Sequence, residues 1–419
     1  MAHILLVGKG GFGDMIPLLA VANAMQERGH NIRIAAEEHH RSACAAIGVQ
    51  LELMPANLRS RSALDDGENA QSLRARLKST LNPGQVEAEL EALLPLVRQS
   101  DLVIGNQLAY AGALACRIVG RRWVFSVASP LAIPSVHDAP FWPFLHTWQR
   151  RAQSVGLSQR GFLPLARLAT RMMMRSQVRL YRKLGVSLRG HPRFEGMYST
   201  ELNLMMTSPM LAPVQTDWPA NTMSTGFAWF DPPFLGGDDQ EQTIVVFANA
   251  GPPPIVFAPG GSTRCDPGEF FQQSVMAARL LGRRAIVVAA KKFHTQFESH
   301  PDILVTGYFP YARLFNLAAV VVHSAGIGAL GWAARYGVPS LLVPSEWDQF
   351  DNARRAERIG LGRVMDITDY AGPNIANAIT MLENDAEVRA GLTRMMPILA
   401  QEDGARLACE AVEKLLKVK

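Results

Sequence analysis

The stretch VVVHSAGIGALGWAARYGVPSLLVPSEWDQFDNARRAERIGLG, residues 320–362, is the most informative in this chain of 419 residues. An apolar run, 320–322, ends at His323 and turns through Gly326 and Gly328 into a helical stretch, 329–336. Consecutive β-branched residues read as a strand buried on both faces. Glycines at its end let backbone N–H groups approach a ligand, and the helix that follows adds partial positive charge. Such a turn suits a diphosphate. The next strand, 340–343, ends at Pro344 and leads to Asp348 and Gln349, beside the same turn. A carboxylate and an amide together hydrogen-bond adjacent hydroxyls well. Diphosphate on one loop and a polyol on the next describe a nucleotide sugar.

The strand-then-helix rhythm continues outward. Runs at 255–258, 286–289 and 303–306 precede the opening stretch. The first half repeats the pattern with 4–7, 32–35, 102–104 and 123–127, separated by helical stretches such as 18–27 and 86–98. This predicts an α/β fold of two doubly wound, Rossmann-like domains, with ligands outside the carboxyl ends of the strands where the domains face each other. Residues 216–252, rich in Pro, Gly and aromatics, read as an interdomain linker between domains at 1–215 and 253–402. A last amphipathic helix, 405–417 within 403–419, can pack on either domain.

The chain opens with HILLVGKGGFGDMIP, residues 3–17, in which Gly8, Gly10 and Gly13 spell G-x-G-x-x-G behind a strand. That is the pattern of a dinucleotide-binding turn, and Glu37 follows the second strand about where a ribose-binding acid belongs. Asp14, next to the third glycine, argues otherwise, because it would bring negative charge toward a pyrophosphate. Its plain structural reading is a helix N-cap, worth ~1 kcal/mol. Its chemical reading is a general base.

Composition, 48% apolar and 19% charged, is that of a soluble globular protein long enough for two cores. No apolar run approaches the roughly 18 residues of a membrane span, and the first strand begins with no signal-like segment before it, so a cytoplasmic protein is expected. Cys44, Cys116, Cys265 and Cys409 are scattered, as in a reducing compartment, and no Cys or His pair has metal-ligand spacing. A net charge of +5 does not imply nucleic acid. The charge is unevenly spread, however. Residues 139–194 hold no acid, while Arg167, Arg171, Arg175 and Arg179 recur every four residues. On one helix they form a basic stripe, which is either a solvated face or a patch for an anionic membrane surface or an acidic ligand. Just before them, SPLAIPSVHDAPFWPFLHTW, residues 129–148, is either a packed loop or the wall of an apolar acceptor pocket built on Phe141, Trp142 and Phe144.

His323, Gly326, Gly328, the Gly337-Val338-Pro339 turn, Asp348-Gln349 and Asn352-Ala353 together resemble the donor-binding signature of the family 1 glycosyltransferases of the GT-B fold. That family includes plant secondary-metabolite, sterol and antibiotic enzymes. The segments 13–30, 211–219 and 225–231 extend the resemblance over most of the chain, with HSAGIGA and WDQFDNARR similar to bacterial rhamnolipid rhamnosyltransferases. The resemblance implies inverting hexosyl transfer from dTDP-rhamnose, or next from UDP-glucose, to an apolar hydroxyl such as that of a hydroxy-fatty-acid ester. It implies no cofactor beyond the nucleotide sugar, and the sequence has no D-x-D for a metal clamp. By family position, Asp14 is the catalytic base, Tyr308 and Phe309 meet the nucleobase, and Ser262 meets the phosphates. His323, Ser324, Gly326, Gly328 and Ala329 form the diphosphate turn, and Asp348, Gln349 and Asn352 complete the donor site. Two departures stand out: Ser324 replaces a second histidine, and Ala325 and Ala329 replace the usual Gly and Thr or Ser. Both shift the phosphate contacts toward backbone N–H groups, Ser324 and Ser262. The competing readings are an NAD- or FAD-dependent oxidoreductase and a non-catalytic accessory subunit that binds sugar nucleotides.

Overall fold

The computed structural model describes residues 1–418 apart from 56–82, 232–237, 261–266, 290 and 295–299. They form two compact units: the chain up to Phe230 together with the stretch from Glu402 onward, and Asp231–Gln401.

The first unit is built on parallel strands β1 (His3–Val7), β2 (Asn31–Ala36), β3 (Gln50–Leu53), β4 (Leu102–Gly105), β5 (Arg122–Val127), β6 (Leu202–Met205) and β7 (Thr222–Ser224). Their order across the sheet is β3-β2-β1-β4-β5-β6-β7. Alternate residues of β1 feed opposite faces, as a pleated strand requires. Leu5 and Val7 join Leu90, Leu93 and Leu114 on one side, while Ile4 and Leu6 join Met15, Leu18 and Leu19 on the other. The chain order reverses between β1 and β4, so the loops after these two strands flank the crevice where open α/β sheets bind ligands.

The C-terminal helix Gly404–Lys417 belongs to this unit. Ala405, Ala408, Cys409 and Val412 are buried in the core that holds Leu18 and Val21. Gly404 permits the approach, since a Cβ there would lie 2.4 Å from the Gly226 carbonyl oxygen. The chain passes from the first unit to the second at Phe230 and Asp231 and returns at Gln401 and Glu402. Before the first crossing β7 extends the first sheet beside β6. After it, helix Asp238–Asn249 buries Ile244 and Ala248 in the second core.

The second sheet contains β8 (Ile255–Ala258), β9 (Ala285–Val288), β10 (Ile303–Thr306), β11 (Val320–His323), β12 (Ser340–Leu342) and β13 (Gly362–Val364). All pairings are parallel, in the order β10-β9-β8-β11-β12-β13, and the reversal lies between β8 and β11.

Between β5 and β6 the structure departs from a single arginine-striped helix. Helix Phe162–Met173 stops at Met174, and a second helix, Arg175–Lys183, begins. The break serves two cores. Leu163 and Ala166 pack with Trp142 and Phe194, whereas Met174, Leu180 and Tyr181 reach the core under the sheet. The proline-rich segment before these helices is packed: Phe141 and Trp142 are buried and Phe144 is partly so. The Trp142 N–H donates to Gln149 Oε1 at 2.7 Å, and Gln149 Nε2 donates to the Pro140 carbonyl at 2.9 Å.

Removing residues 404–419 is expected to strip one face of the first core. In calorimetry the transition of that unit should fall by several degrees or vanish, while that of the second unit stays in place.

Candidate active site

The turn after β1 is shaped by its first two glycines. At Gly8 a Cβ would lie 2.0 Å from Met15 Sδ. Gly10 has φ +106°, and a Cβ there would lie 2.4 Å from Asp14 Oδ2. At Gly13, by contrast, a Cβ would meet no atom of the described residues within 4 Å. In a dinucleotide fold the third glycine permits close packing of helix on strand, and Gly13 has no such duty here. The glycines make room for Met15 and for the Asp14 carboxylate.

Helix Phe12–Glu27 starts earlier than expected, so Asp14 is not its N-cap. Gly11 holds that position, and Asp14 is the third residue of the first turn, reaching back so that Oδ2 accepts the Gly11 N–H at 3.1 Å. Its other oxygen, Oδ1, accepts from Gln107 Nε2 at 2.7 Å. Gln107 stands in the loop after β4, across the point where the strand order reverses. The adjacent Asn106 ties the two loops together: Nδ2 donates to the Lys9 carbonyl at 2.8 Å, and Oδ1 accepts the Leu108 N–H at 3.2 Å. Lys9 itself is buried against Glu89 at 2.5 Å. From the β2 side, His40 Nε2 donates to the Gly10 carbonyl at 3.0 Å, with Phe12 edge-on to the imidazole at 5.3 Å. Burial and the neighbouring His39 push His40 down to about 4. Sequence reasoning assigned no part to Asn106, Gln107 or His40. The available signal was the polar pair Asn106-Gln107, set between an apolar strand and a helix beside β1.

In the second unit the turn after β11 is held from both sides. His323 is buried, Nδ1 accepts the Ala325 N–H at 3.2 Å, and burial lowers its pKa to about 3. The ring is therefore neutral, and its proton sits on Nε2, which is buried without a hydrogen-bond partner among the described residues. Ala325 adopts φ +63°, a conformation that glycine takes freely and alanine takes at a cost of about 1–2 kcal/mol. Its carbonyl accepts from Asn352 Nδ2 at 3.1 Å, and the same amide donates to Asp348 Oδ2 at 2.9 Å. Both His323 and Asn352 thus grip the backbone of Ala325. Beyond them, a Cβ at Gly326 or Gly328, at the start of helix Ile327–Arg335, would meet no atom of the described residues within 4 Å. Ala329 is half-buried, and Ser324 is buried with its hydroxyl near Gly260 in the loop after β8.

Asp348 precedes helix Gln349–Arg358 and is half-buried. Gln349 is buried, and its Oε1 accepts the N–H groups of Ser345 and Glu346, each at 2.9 Å, which folds the loop 344–348 back on itself. Of the aromatic pair, Tyr308 is 48% exposed and Phe309 is fully buried in the core. Tyr308 is therefore the one that can offer a ring face to a ligand. Ser262 lies outside the described residues. Among the described residues no three His, Cys, Asp or Glu side chains gather as metal ligands.

His40 gives the Asp14 turn a pH signature. Its folded pKa lies below the ordinary 6.5, so its contribution is present above that pH and is lost as pH falls toward 4. In urea unfolding, the stability advantage of the native protein over His40→Asn should shrink across that interval. A difference independent of pH would show that the imidazole is not held neutral.

Residues 278–414 match the family described as erythromycin biosynthesis protein CIII-like, C-terminal domain. Over its length the chain is similar to the O-mycaminosyltylonolide 6-deoxyallosyltransferase of Streptomyces fradiae, at 26% identity covering 98% of this chain and 97% of that one. It is also similar to the sterol 3-beta-glucosyltransferase UGT80B1 of Arabidopsis thaliana, at 24% identity covering 99% of this chain and 68% of that one. In fold it resembles the glycosyltransferase VinC, solved in complex with dTDP, with a TM-score of 0.67 at 18% identity covering 98% of each chain. With two parallel Rossmann-like sheets and these relatives, the chain is a glycosyltransferase of the GT-B fold.

Proposed function

We propose that the enzyme transfers a hexose from a nucleoside diphosphate sugar to a hydroxyl of an apolar small molecule or lipid, with inversion and with Asp14 as general base. A dTDP-linked deoxyhexose such as rhamnose is the favoured donor, followed by UDP-glucose. The observation that carries this reading is the Asp14 carboxylate, aimed by Gly11 and Gln107 at the reversal point of the first sheet. The dTDP bound to VinC and the deoxyhexosyl transfer named for the Streptomyces relative support the donor class. The sterol acceptor named for the Arabidopsis relative supports an apolar one.

In this reading the acceptor oxygen attacks the anomeric carbon on the face opposite the diphosphate. The bond from that carbon to the phosphate oxygen breaks, and its electron pair leaves with the diphosphate. Asp14 takes the hydroxyl proton. An ordinary carboxylate, with a pKa of roughly 4, is a weak base, so the proton moves late, as the new bond forms. The same negative charge favours the oxocarbenium character that builds at the sugar. Gly11 and Gln107 hold the carboxylate in place, one at each oxygen. On the second unit, the first turn at Gly326–Ala329 and the Ser324 hydroxyl receive the diphosphate, with Ser262 as a further contact. Asp348 takes sugar hydroxyls, and Tyr308 stacks on the base. These fixed dipoles do the work of a metal clamp, so transfer proceeds in a chelator.

A matrix of donors and acceptors, with EDTA present and products read by mass spectrometry, tests this together with thermal shifts. We expect dTDP or UDP to raise the melting temperature, NAD and FAD to leave it unchanged, and one donor–acceptor pair to yield a glycoside. Stabilisation by NAD or FAD alone, or nucleotide binding without turnover across a broad acceptor set, would overturn it.

A further inference from the structure

Helix Phe162–Met173 is apolar on two opposite sides. Leu163 and Ala166 face inward, against Trp142 and Phe194. Directly opposite, Leu165, Leu168 and Met172 recur at i, i+3 and i+7 and are 56%, 60% and 52% exposed. The preceding helix, His146–Ser154, and the turn after it add exposed Trp148, Val155 and Leu157. A lone exposed leucine needs no explanation, but three large apolar side chains on one helix face, with three more exposed on the elements just before it, amount to an apolar surface.

The charge around the patch is one-sided. Residues 139–194 contain eleven Arg and Lys and no Asp or Glu, although the whole chain carries only +5. Acids from elsewhere reach part of this charge: Glu195 holds Arg167 at 2.7 Å, and Glu87 holds Lys183 at 2.8 Å. Arg151, Arg160, Arg171, Arg175 and Arg179 stand exposed around the apolar stripe.

We propose that this surface docks on an anionic phospholipid bilayer. The leucines and Met172 enter the headgroup–acyl boundary, and the arginines lie on headgroup phosphates. An anionic bilayer supplies both an apolar phase and negative charge. A second copy of the chain packed about a two-fold axis would set like charges against each other. Nucleic acid would satisfy the arginines and leave the leucines in water. No described helix is long and apolar enough to cross a membrane, so the contact is peripheral. It holds whichever sugar and acceptor the enzyme uses.

The test is flotation of the full-length protein with phosphatidylcholine vesicles, with and without phosphatidylglycerol. Binding should require phosphatidylglycerol, weaken with salt and shift Trp148 fluorescence to the blue. The double changes Leu168→Glu with Met172→Glu, and Arg175→Glu with Arg179→Glu, should each lower vesicle affinity roughly tenfold or more while leaving the melting temperature unchanged. No flotation with anionic vesicles, or variants that float like the native protein, would overturn the proposal. So would a dimer in sedimentation velocity that Leu168→Glu dissolves, because that would assign the surface to a second copy.

Discussion

The Asp14 carboxylate lies against the Cα of Gly10, close enough that a Cβ there would stand 2.4 Å from Oδ2. Much of the geometry of the turn after β1 follows from that fit. Gly10 must be glycine both for its positive φ and for this contact. Its carbonyl, turned outward by the same backbone conformation, is taken up by His40. The two oxygens of Asp14 are then fixed from opposite directions, by its own helix through Gly11 and by the neighbouring βα loop through Gln107. Hydrogen bonds to a charged group are worth about 1.5–3 kcal/mol each, enough to hold one rotamer at an otherwise exposed turn. Beneath it, the buried Lys9–Glu89 pair contributes definition more than stability, since desolvation offsets most of its attraction.

The second unit solves a comparable problem with different means. Its turn places a non-glycine residue, Ala325, in the left-handed region and holds it there with a buried imidazole and a buried amide. His323 and Asn352 therefore act through the backbone they position. In the next turn Gly326 and Gly328 carry no side chain, and a Cβ at either would meet no atom of the described residues within 4 Å. Both units thus spend their polar side chains on aiming backbone or carboxylate at a strand-order reversal, the place where open sheets bind ligands.

Much of this was legible in the sequence because parallel strands covered on both faces appear as unbroken apolar runs. The runs leading β1, β4, β8 and β11 could be read directly. Three of the four edge strands could not: Gln50–Leu53, Thr222–Ser224 and Gly362–Val364 are short and partly polar. β6 was hidden by Asn203, which is buried but bonded to Asn221 and Ser199. At the site, residue types were visible and partners were not. Asp348 and Gln349 are adjacent in sequence, yet Gln349 turns inward to fold its own loop while Asp348 stays half-exposed. Tyr308 and Phe309 divide the same way, because neighbouring side chains on an extended segment point to opposite faces. The support given by Gln107 comes from sheet order, which brings residues 14 and 107 together and which local periodicity does not encode.

The most direct measurement is single-turnover transfer by Asp14→Asn beside its affinity for dTDP or UDP. Asparagine keeps the size of the side chain and an oxygen for the Gly11 N–H, but it cannot take the acceptor proton. If Asp14 is the base, nucleotide affinity stays near that of the native enzyme while transfer falls by about 10²–10⁴. Transfer at the native rate would place the base elsewhere and leave Asp14 as a helix-capping residue.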